Sequence, residues 1–481
     1  MTTDPARLGD VSSREVDSAI PSALQEFMVQ GWGPTPLVPR PPLANQQERQ
    51  ERRRRLEEQL AGVLLLIPNG AERVRANDTA FRFRPSSNFI YLVGEGEQGD
   101  VLALVPTASA GHEARLYTTP PSPWTAPNVI ADRVQGALWA MPRLSMSETA
   151  DRYGLATEPL SDLPALLARY RDTAVLRGID SMVDDLVPPR PELDGALAAH
   201  LAEMRLFKSP WEINELAKAC QLTAEAFQQV VGALSELRTE RQVEAIFDGY
   251  ARTVGAGTGY LSIVAAGTNA TVRHNSRNQG GLNPGELLLI DAGVETDEYY
   301  TADVTRTIPI RGEFSPWQRE VYQVVWRAHQ AALAATRPGV AFRQPHDAAM
   351  RALCEGLHDM GILKVGVDEA VQPDRQLYRR YCRHGTSHML GIDVHDCVDA
   401  PVGQYLDGHL QPGMVLTIEP GLYLQPHDLT VPEDLRGIGI RIEDDILVTP
   451  EGMRNLSEGI PAASEDVESW VRPDRGPAPS R

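Results

Sequence analysis

Short apolar runs, bounded by polar residues, glycine or proline, recur through the first 200 residues. Four of them have the length of a strand, namely VLLLIP (63–68), FIYLVG (89–94), VLALVP (101–106) and ARLYTT (114–119). Helical spacing follows in segments such as SDLPALLARYRD (161–172). Strands that alternate with helices predict an α/β domain.

A longer helical pattern begins at residue 208 and continues to residue 237. Ser209 is the candidate N-cap, Pro210 occupies the first helical position, and Glu212 stands three residues after the cap. This is the sequence pattern of a capping box. We expect this helix to open a second domain.

The remainder mixes helices with strand-like runs that glycine and proline interrupt. These runs are GELLLIDAG (285–293), TRTIPIRG (305–312), GMVLTIEPG (413–421) and GIRIEDDILVT (439–449). The pattern divides the chain into four parts: an irregular extension over 1–45, an α/β domain over 46–205, a second domain over 206–462, and a partly disordered tail over 463–481.

One charged helix could suggest nucleic-acid binding. The segment ERQERRRRLEEQL (48–60) alternates basic and acidic blocks at helical spacing. Because acids flank the arginines, we interpret it as a solvated helix face rather than a basic patch.

Composition narrows the function classes. The chain has 481 residues, a formal net charge of −19 and a pI near 5.1, which argues against nucleic-acid or anionic-membrane binding. Its four cysteines are scattered without a CxxC pair, as in proteins with reduced thiols. The N-terminus has early acids and no apolar run typical of a secretory signal. We therefore expect a cytoplasmic protein without a membrane anchor.

Four strand-like segments carry a carboxylate where a core residue is expected: Asp291, Asp303, Glu419 and Glu443. A buried carboxylate is costly unless it is paired or binds a metal. A histidine-rich stretch, RHGTSHMLGIDVHD (383–396), lies between them in sequence. Carboxylates with one imidazole suit Mn²⁺, Zn²⁺ or Co²⁺, and five such ligands can hold two ions about 3.5–4 Å apart. The pattern predicts hydrolytic chemistry, while the three histidines stay open as ligands, proton-transfer groups or core residues.

At these motifs the sequence resembles the creatinase/prolidase/methionine aminopeptidase superfamily, the pita-bread metallopeptidases of family M24B. Within it, the chain is most similar to aminopeptidase P over residues 47–460, including FRFRPSSNFIYLVG (81–94) and MRLFKSPWEI (204–213). The resemblance implies an α/β (α+β) protein, in which a creatinase-like α/β domain precedes a pita-bread domain with a curved, mainly antiparallel sheet covered by helices.

The resemblance also implies a ligand set for two divalent ions, with Mn²⁺ preferred and Zn²⁺ or Co²⁺ as alternatives. Asp291 is expected to be bidentate on one ion and Asp303 and Glu443 to bridge. His388 and Glu419 are expected to complete the other site.

Further residues are expected around the substrate. His384 and His395 would bind the substrate carbonyl and the tetrahedral intermediate, and His274 would lie near the leaving proline. Arg441 would hold the metal-binding carboxylates, and Glu419 would act as general base and proton donor. Trp139 stands as a substrate-side contact or, more simply, a core tryptophan.

The implied activity is an Xaa-Pro aminopeptidase, in which a metal-bridging hydroxide cleaves the bond before a proline in second position. Relatives imply a homodimer or homotetramer. Prolidase, which cleaves Xaa-Pro dipeptides, would use the same ligands, and a non-catalytic binding homologue and a creatinase-type C–N hydrolase remain alternatives.

Two departures from the family pattern bear on these expectations. Asp291 and Asp303 are twelve residues apart where many relatives have eleven, so we expect a longer turn at ETDEYY (295–300) with both ligands intact. The loop over 397–408 lacks a basic residue that many relatives carry.

Overall fold

The computed structural model describes residues 21–33, 40–77, 79–108, 111–126, 139–141 and 143–472. The chain divides into two compact units, Met1–Leu201 and Ala202–Arg481. The expected mixed α/β class is confirmed. The division falls inside one helix, Pro191–Leu206, close to the domain boundary expected at residues 205 and 206.

The first unit is built around one five-stranded sheet. Its helices are α1 (Ser22–Met28), α2 (Gln46–Gln59), α3 (Ser87–Leu92), α4 (Met146–Tyr153), α5 (Leu163–Leu167), α6 (Ser181–Leu186) and α7 (Pro191–Leu206), which continues into the second unit. Its strands are β1 (Leu64–Pro68), β2 (Val74–Ala76), β3 (Thr79–Ala80), β4 (Val101–Pro106), β5 (His112–Thr118), β6 (Ala156–Pro159) and β7 (Thr173–Val175). The sheet order is β6-β5-β4-β1-β7, with β4 antiparallel to both neighbours.

The strand predicted at FIYLVG is wrong, because this run forms the short helix α3. A short apolar run does not distinguish a buried strand from a buried helix. Two arginines of α2 stabilise the helical form by donating hydrogen bonds to carbonyl oxygens at its C-terminal end. Arg52 Nη1 lies 3.0 Å from the oxygen of Tyr91, and Arg53 Nη1 lies 2.6 Å from the oxygen of Leu92.

The solvated face expected for α2 is therefore only partly correct. Arg49, Arg52 and Arg53 are buried, with 3 to 5% of each residue exposed. Arg54 does face solvent and pairs with Glu51 on the same helix. All three arginines thus serve the fold of the first unit by donating to carbonyl oxygens, and Arg52 also packs on the ring of Tyr91.

The second unit combines long helices with several small antiparallel sheets. Its helices are α8 (Pro210–Ala233), α9 (Glu240–Val254), α10 (Pro316–Ala335), α11 (Gln344–Asp359), α12 (Val367–Ala370) and α13 (Ser464–Val471). Its strands are β8 (Gly257–Thr258), β9 (Ile263–Ala266), β10 (Leu287–Ala292), β11 (Val294–Glu295), β12 (Val304–Pro309), β13 (Val415–Ile418), β14 (Gly421–Tyr423), β15 (Gly439–Arg441), β16 (Asp444–Thr449) and β17 (Gly452–Asn455). The capping box expected at the start of α8 is present.

Three antiparallel groups of strands form the frame of this unit. They are β9-β10-β12, β13-β16-β17 and β14-β15, and a fourth antiparallel pair joins β8 to β11. Every residue of β10, β12 and β13 is buried, so both faces of these strands are covered. One continuous apolar core includes side chains of these strands and of α8 to α11.

The structure differs from the prediction at Glu443, in the C-terminal tail and at Trp139. Glu443 lies between β15 and β16 rather than inside one continuous strand. The predicted tail begins with helix α13, and its residues from 473 onward lie outside the described part. Trp139 is 54% exposed, so its interpretation as a core tryptophan is wrong.

None of the helices within the described ranges combines the length and apolar character that a bilayer crossing requires.

Candidate metal centre

The four candidate carboxylates stand where strands begin or end. Asp291 is the penultimate residue of β10, and Asp303 immediately precedes β12. Glu419 follows the last residue of β13, and Glu443 precedes the first residue of β16. Because β10 pairs with β12 and β13 with β16, strand register fixes the carboxylates in two neighbouring pairs.

His388 reaches the same place from a loop. Its backbone N–H donates to Thr417 Oγ1 over 3.2 Å, and its carbonyl oxygen accepts from the Thr417 N–H over 3.0 Å. The next residue, Met389, forms an isolated bridge with Leu416. These contacts hold the loop against β13 and position the imidazole close to Glu419.

These side chains surround one cavity of about 500 Å³, which we call the carboxylate cavity. All nine residues singled out from the sequence line it: His274, Asp291, Asp303, His384, His388, His395, Glu419, Arg441 and Glu443. All of them belong to the second unit. The structure therefore brings together all candidate ligands and catalytic residues, although it does not by itself assign their roles; Trp139, the further candidate contact, does not line this cavity.

Within the cavity, Asp303, His388 and Glu443 offer ligand atoms that all lie within 4.8 Å of one another. His388 Nε2 lies 3.3 Å from Asp303 Oδ2 and 3.6 Å from Glu419 Oε1. Such spacing around a common point is what a single divalent ion needs from carboxylate and imidazole donors. The donor set thus fits a metal.

Asp291 is held by two neighbours. Arg441 forms an ion pair with its Oδ2 through Nη2, and the Tyr260 hydroxyl donates to its Oδ1 over 2.7 Å. The same hydroxyl lies 2.5 Å from Asp303 Oδ1. Tyr260 therefore connects the two aspartates that the resemblance assigns to the metals.

Arg441 is the centre of a second set of contacts. Its Nε donates to Thr305 Oγ1 over 2.9 Å, and its Nη1 donates to the Tyr423 hydroxyl over 3.0 Å. Thr305 Oγ1 in turn donates to Glu443 Oε2 over 2.5 Å. One guanidinium therefore orients Asp291 directly and Glu443 through a threonine.

The electrostatics of the cavity show that its carboxylates repel one another. Burial raises the pKa of Asp291 to about 6; the Arg441 guanidinium opposes this increase and the charge of Asp303 adds to it. Burial and then the charges of Asp303 and Glu419 raise the pKa of Glu443 well above its ordinary value. Divalent cations among these groups would remove the repulsion and displace protons from them.

For the remaining two members of the ligand set, His388 and Glu419, the neighbouring groups favour the charged form. Burial disfavours the charged form of His388, but its hydrogen bond to Asp303 and the charges of Asp303 and Glu419 together outweigh burial and raise its pKa to about 9. Burial would raise the pKa of Glu419, yet the hydrogen bond from His384 and the charges of His384, His388 and Arg441 together lower it to about 2. A protonated imidazole thus balances carboxylate charge where the ligand set predicts a metal cation.

The other histidines surround this cluster. His384 Nδ1 lies 3.3 Å from Glu419 Oε2, and the His384 Nε2 lies 2.9 Å from the Tyr423 hydroxyl. The ring of His395 meets the ring of His388 edge-on, with 4.4 Å between centroids. His274 is exposed on the cavity wall. Their placement agrees with contact to a substrate.

The sequence did not indicate three polar side chains that contact the candidate residues directly: Tyr260, Thr305 and Tyr423. Tyr260 closes GAGTGY (255–260), whose glycines resemble an incomplete dinucleotide fingerprint and give no reason to expect a carboxylate contact. The threonine and tyrosine belong to ordinary strand patterns. Only the strand pairing reveals that they face Arg441.

Comparisons with known proteins show which family the chain resembles. The model of metallopeptidase family M24 matches residues 214–450, and that of the aminopeptidase P N-terminal domain matches residues 49–175. The chain is 44% identical over 461 residues to Xaa-Pro aminopeptidase 1 of Streptomyces coelicolor, covering 94% of this chain and 92% of that protein.

Solved structures of aminopeptidase P are similar to this chain in fold and sequence. Aminopeptidase P from E. coli with the inhibitor Pro-Leu matches with a TM-score of 0.80 and 32% identity, over 89% of this chain and 98% of that one. Zinc-substituted E. coli aminopeptidase P in complex with product matches with a TM-score of 0.78 and 31% identity, over the same shares of the two chains.

The fold and the family models define a metallopeptidase with an aminopeptidase P N-terminal domain followed by a pita-bread domain. More specifically, the chain belongs to the Xaa-Pro aminopeptidases of metallopeptidase family M24, and it is a metallo-aminopeptidase.

The geometry separates the three histidines of residues 383–396, and this separation can be tested. We expect His388→Ala to lose bound metal, because His388 is the imidazole that contacts Asp303 and Glu419. His384→Ala and His395→Ala should keep the metal and lose turnover. Metal content after dialysis, measured by mass spectrometry, decides the matter. Equal loss of metal from all three variants would contradict the assignment.

Tyr260 gives a second prediction. Tyr260→Phe removes the hydroxyl that contacts Asp291 and Asp303, so metal affinity should fall by about 10-fold or more, as for other groups that orient ligands. Tyr250→Phe is the matched control, because Tyr250 donates to Glu225 outside the cavity. Competition with a fluorescent chelator measures both affinities. Equal affinities of the two variants would exclude a role for Tyr260 in orienting the ligands.

Proposed function

We propose that this chain hydrolyses the N-terminal Xaa-Pro bond of peptides with two divalent metal ions, preferably Mn²⁺. The observation that carries the proposal is the carboxylate cavity, where four carboxylates and an imidazole converge from separate chain segments. The names of the relatives support the substrate class, and the inhibitor Pro-Leu of the E. coli enzyme contains the proline that would lead the departing peptide.

Five side chains would hold the metals: Asp291, Asp303, His388, Glu419 and Glu443. Four carboxylates carry the charge that balances two divalent ions, and mixed oxygen and imidazole donors suit Mn²⁺. Metal ions in such a site lower the pKa of bound water and polarise a carbonyl.

Glu419 is the candidate general base and proton donor. It directly follows β13 inside the carboxylate cavity, beside the proposed metal ligand His388, where its carboxylate would meet the attacking water and accept its proton. His384, 3.3 Å away, holds one of its oxygens and fixes its orientation. Glu419 would then pass the proton to the proline nitrogen as the peptide bond breaks.

The cavity histidines would bind the substrate around this centre. His395 would donate to the carbonyl oxygen as negative charge develops on it, where fixed donors contribute most to the rate. His384 would join it by exchanging its contact with the Tyr423 hydroxyl for one with the carbonyl oxygen. His274, on the exposed wall, would lie beside the departing proline. Arg441 would keep Asp291 and Glu443 in place without touching the substrate.

Two further expectations concern the setting of the enzyme. The four cysteines are free and buried, which supports a reducing compartment and hence the cytoplasm. The homodimer or homotetramer expected from the resemblance stays a prediction, which light scattering on the purified protein would test.

A peptide panel tests the proposed activity. Metal-free protein should be inactive, and added Mn²⁺ should restore cleavage of Xaa-Pro-Yaa but not of Xaa-Ala-Yaa. An Xaa-Pro dipeptide distinguishes the prolidase alternative, because exclusive cleavage of the dipeptide would contradict an aminopeptidase.

The same panel tests Glu419. With metal supplied, Glu419→Gln should lower kcat by about 10²-fold or more, as expected for loss of a general base. Glu433→Gln, at an exposed position outside the cavity, is the control. Near wild-type turnover of metal-loaded Glu419→Gln would eliminate the proton-transfer role.

A further inference from the structure

The carboxylate cavity contains two arginines in different situations. Arg441 is 2% exposed and fully engaged with Asp291, Tyr423 and Thr305. Arg273 lines the same cavity but is exposed, and no side chain or carbonyl of the described residues forms a salt bridge or hydrogen bond with its guanidinium. The cavity thus presents one arginine that its own carboxylates do not engage.

The charge of Arg273 affects the net charge of the cavity once metal ions are bound. Under the proposed function, two divalent ions balance the four carboxylates of Asp291, Asp303, Glu419 and Glu443. The charge of Arg441 is directed at Asp291. Both arginines then add positive charge to the cavity; Arg441 is held beside Asp291, whereas Arg273 lies exposed on the cavity wall.

Arg273 lies on the side of the cavity where the proposed mechanism puts the departing peptide. It directly precedes His274, the residue expected beside the leaving proline. Burial and then the charge of Arg273 lower the pKa of His274. The charge of Arg273 also contributes to lowering the pKa of His395, after burial and His388. Its field therefore reaches both histidines of this wall.

The loop that follows His395 supplies no competing cation. Residues 397–408 contain no lysine or arginine. The protein as a whole carries a net charge of −19, which disfavours approach of an anionic peptide. A local arginine would offset this repulsion where it affects binding.

We propose that Arg273 is a specificity determinant that binds a carboxylate of the peptide downstream of the scissile Xaa-Pro bond. The inference rests on the proposed function and adds a preference among Xaa-Pro substrates. The carboxylate has two sources, the free C-terminus of a short peptide or an acidic side chain after the proline. Arginine binds either through two parallel hydrogen bonds.

The test compares three peptides of one sequence length with metal-loaded enzyme. They are Xaa-Pro-Ala as free acid, Xaa-Pro-Ala-amide and Xaa-Pro-Asp-amide. The wild-type protein should favour a carboxylate-bearing peptide over Xaa-Pro-Ala-amide by about three- to five-fold in kcat/KM, the size expected for one solvent-exposed ion pair. The preference should lie in KM and should shrink with added salt.

Substitutions of Arg273 test whether this side chain causes the preference. Arg273→Gln should bring the ratio between charged and neutral peptides to about one, and Arg273→Lys should restore part of it. Arg277→Gln is the matched control, since Arg277 is an exposed arginine of the same segment that does not line the cavity. It should keep the wild-type ratio.

The outcomes identify which carboxylate Arg273 binds, and they distinguish a failure of this role from a failure of the proposed Xaa-Pro activity. A preference for the free acid alone identifies the C-terminus as the ligand, and a preference for the aspartyl peptide identifies the side chain. An unchanged ratio in Arg273→Gln, or equal loss on charged and neutral peptides, would overturn the role of Arg273. Failure of the wild-type enzyme to cleave any Xaa-Pro peptide would instead contradict the proposed function.

Discussion

Mutual repulsion among four carboxylates in one cavity is the constraint on which the second unit depends. Asp291, Asp303 and Glu443 are each at most 8% exposed. Neighbouring negative charges raise the free energy needed to ionise Asp291 and Glu443. A chain gains nothing from gathering such groups unless cations bind there. Arg441 and a protonated His388 supply part of the balance, and under the proposed function two metal ions would supply the remainder.

The scaffold explains how this arrangement is maintained. Paired strands fix the carboxylates at their ends, and further buried polar contacts fix the strands. The backbone N–H of Asp303 donates to Asp445 Oδ2 over 3.0 Å, so the residue next to β12 is tied to β16. Behind it, Arg306 is fully buried and donates to Asp444 Oδ1 over 2.7 Å. Breaking such a buried pair by removing one partner costs about 3–5 kcal/mol, so these contacts resist displacement of the ligands.

How far the sequence predicted this molecule depended on the kind of signal. Carboxylates at the ends of apolar runs are rare enough to indicate a site, and all nine candidate residues line one cavity. The capping box of α8 is encoded by residues close in sequence, so it could also be predicted from the sequence. Helix α3 was mistaken for a strand because its stabilising arginines lie on another helix. Tyr260 and Thr305 were missed for the same reason, since only tertiary contacts give them a role.

Calorimetric titration of Mn²⁺ into metal-stripped protein tests the central claim most directly, namely that the carboxylate cavity exists to hold two metal ions. The account predicts two equivalents bound, release of protons at pH 6 because the pKa of Asp291 is about 6, and a higher unfolding midpoint that chelator reverses. Binding of one equivalent or none, with an unchanged unfolding midpoint, would contradict it.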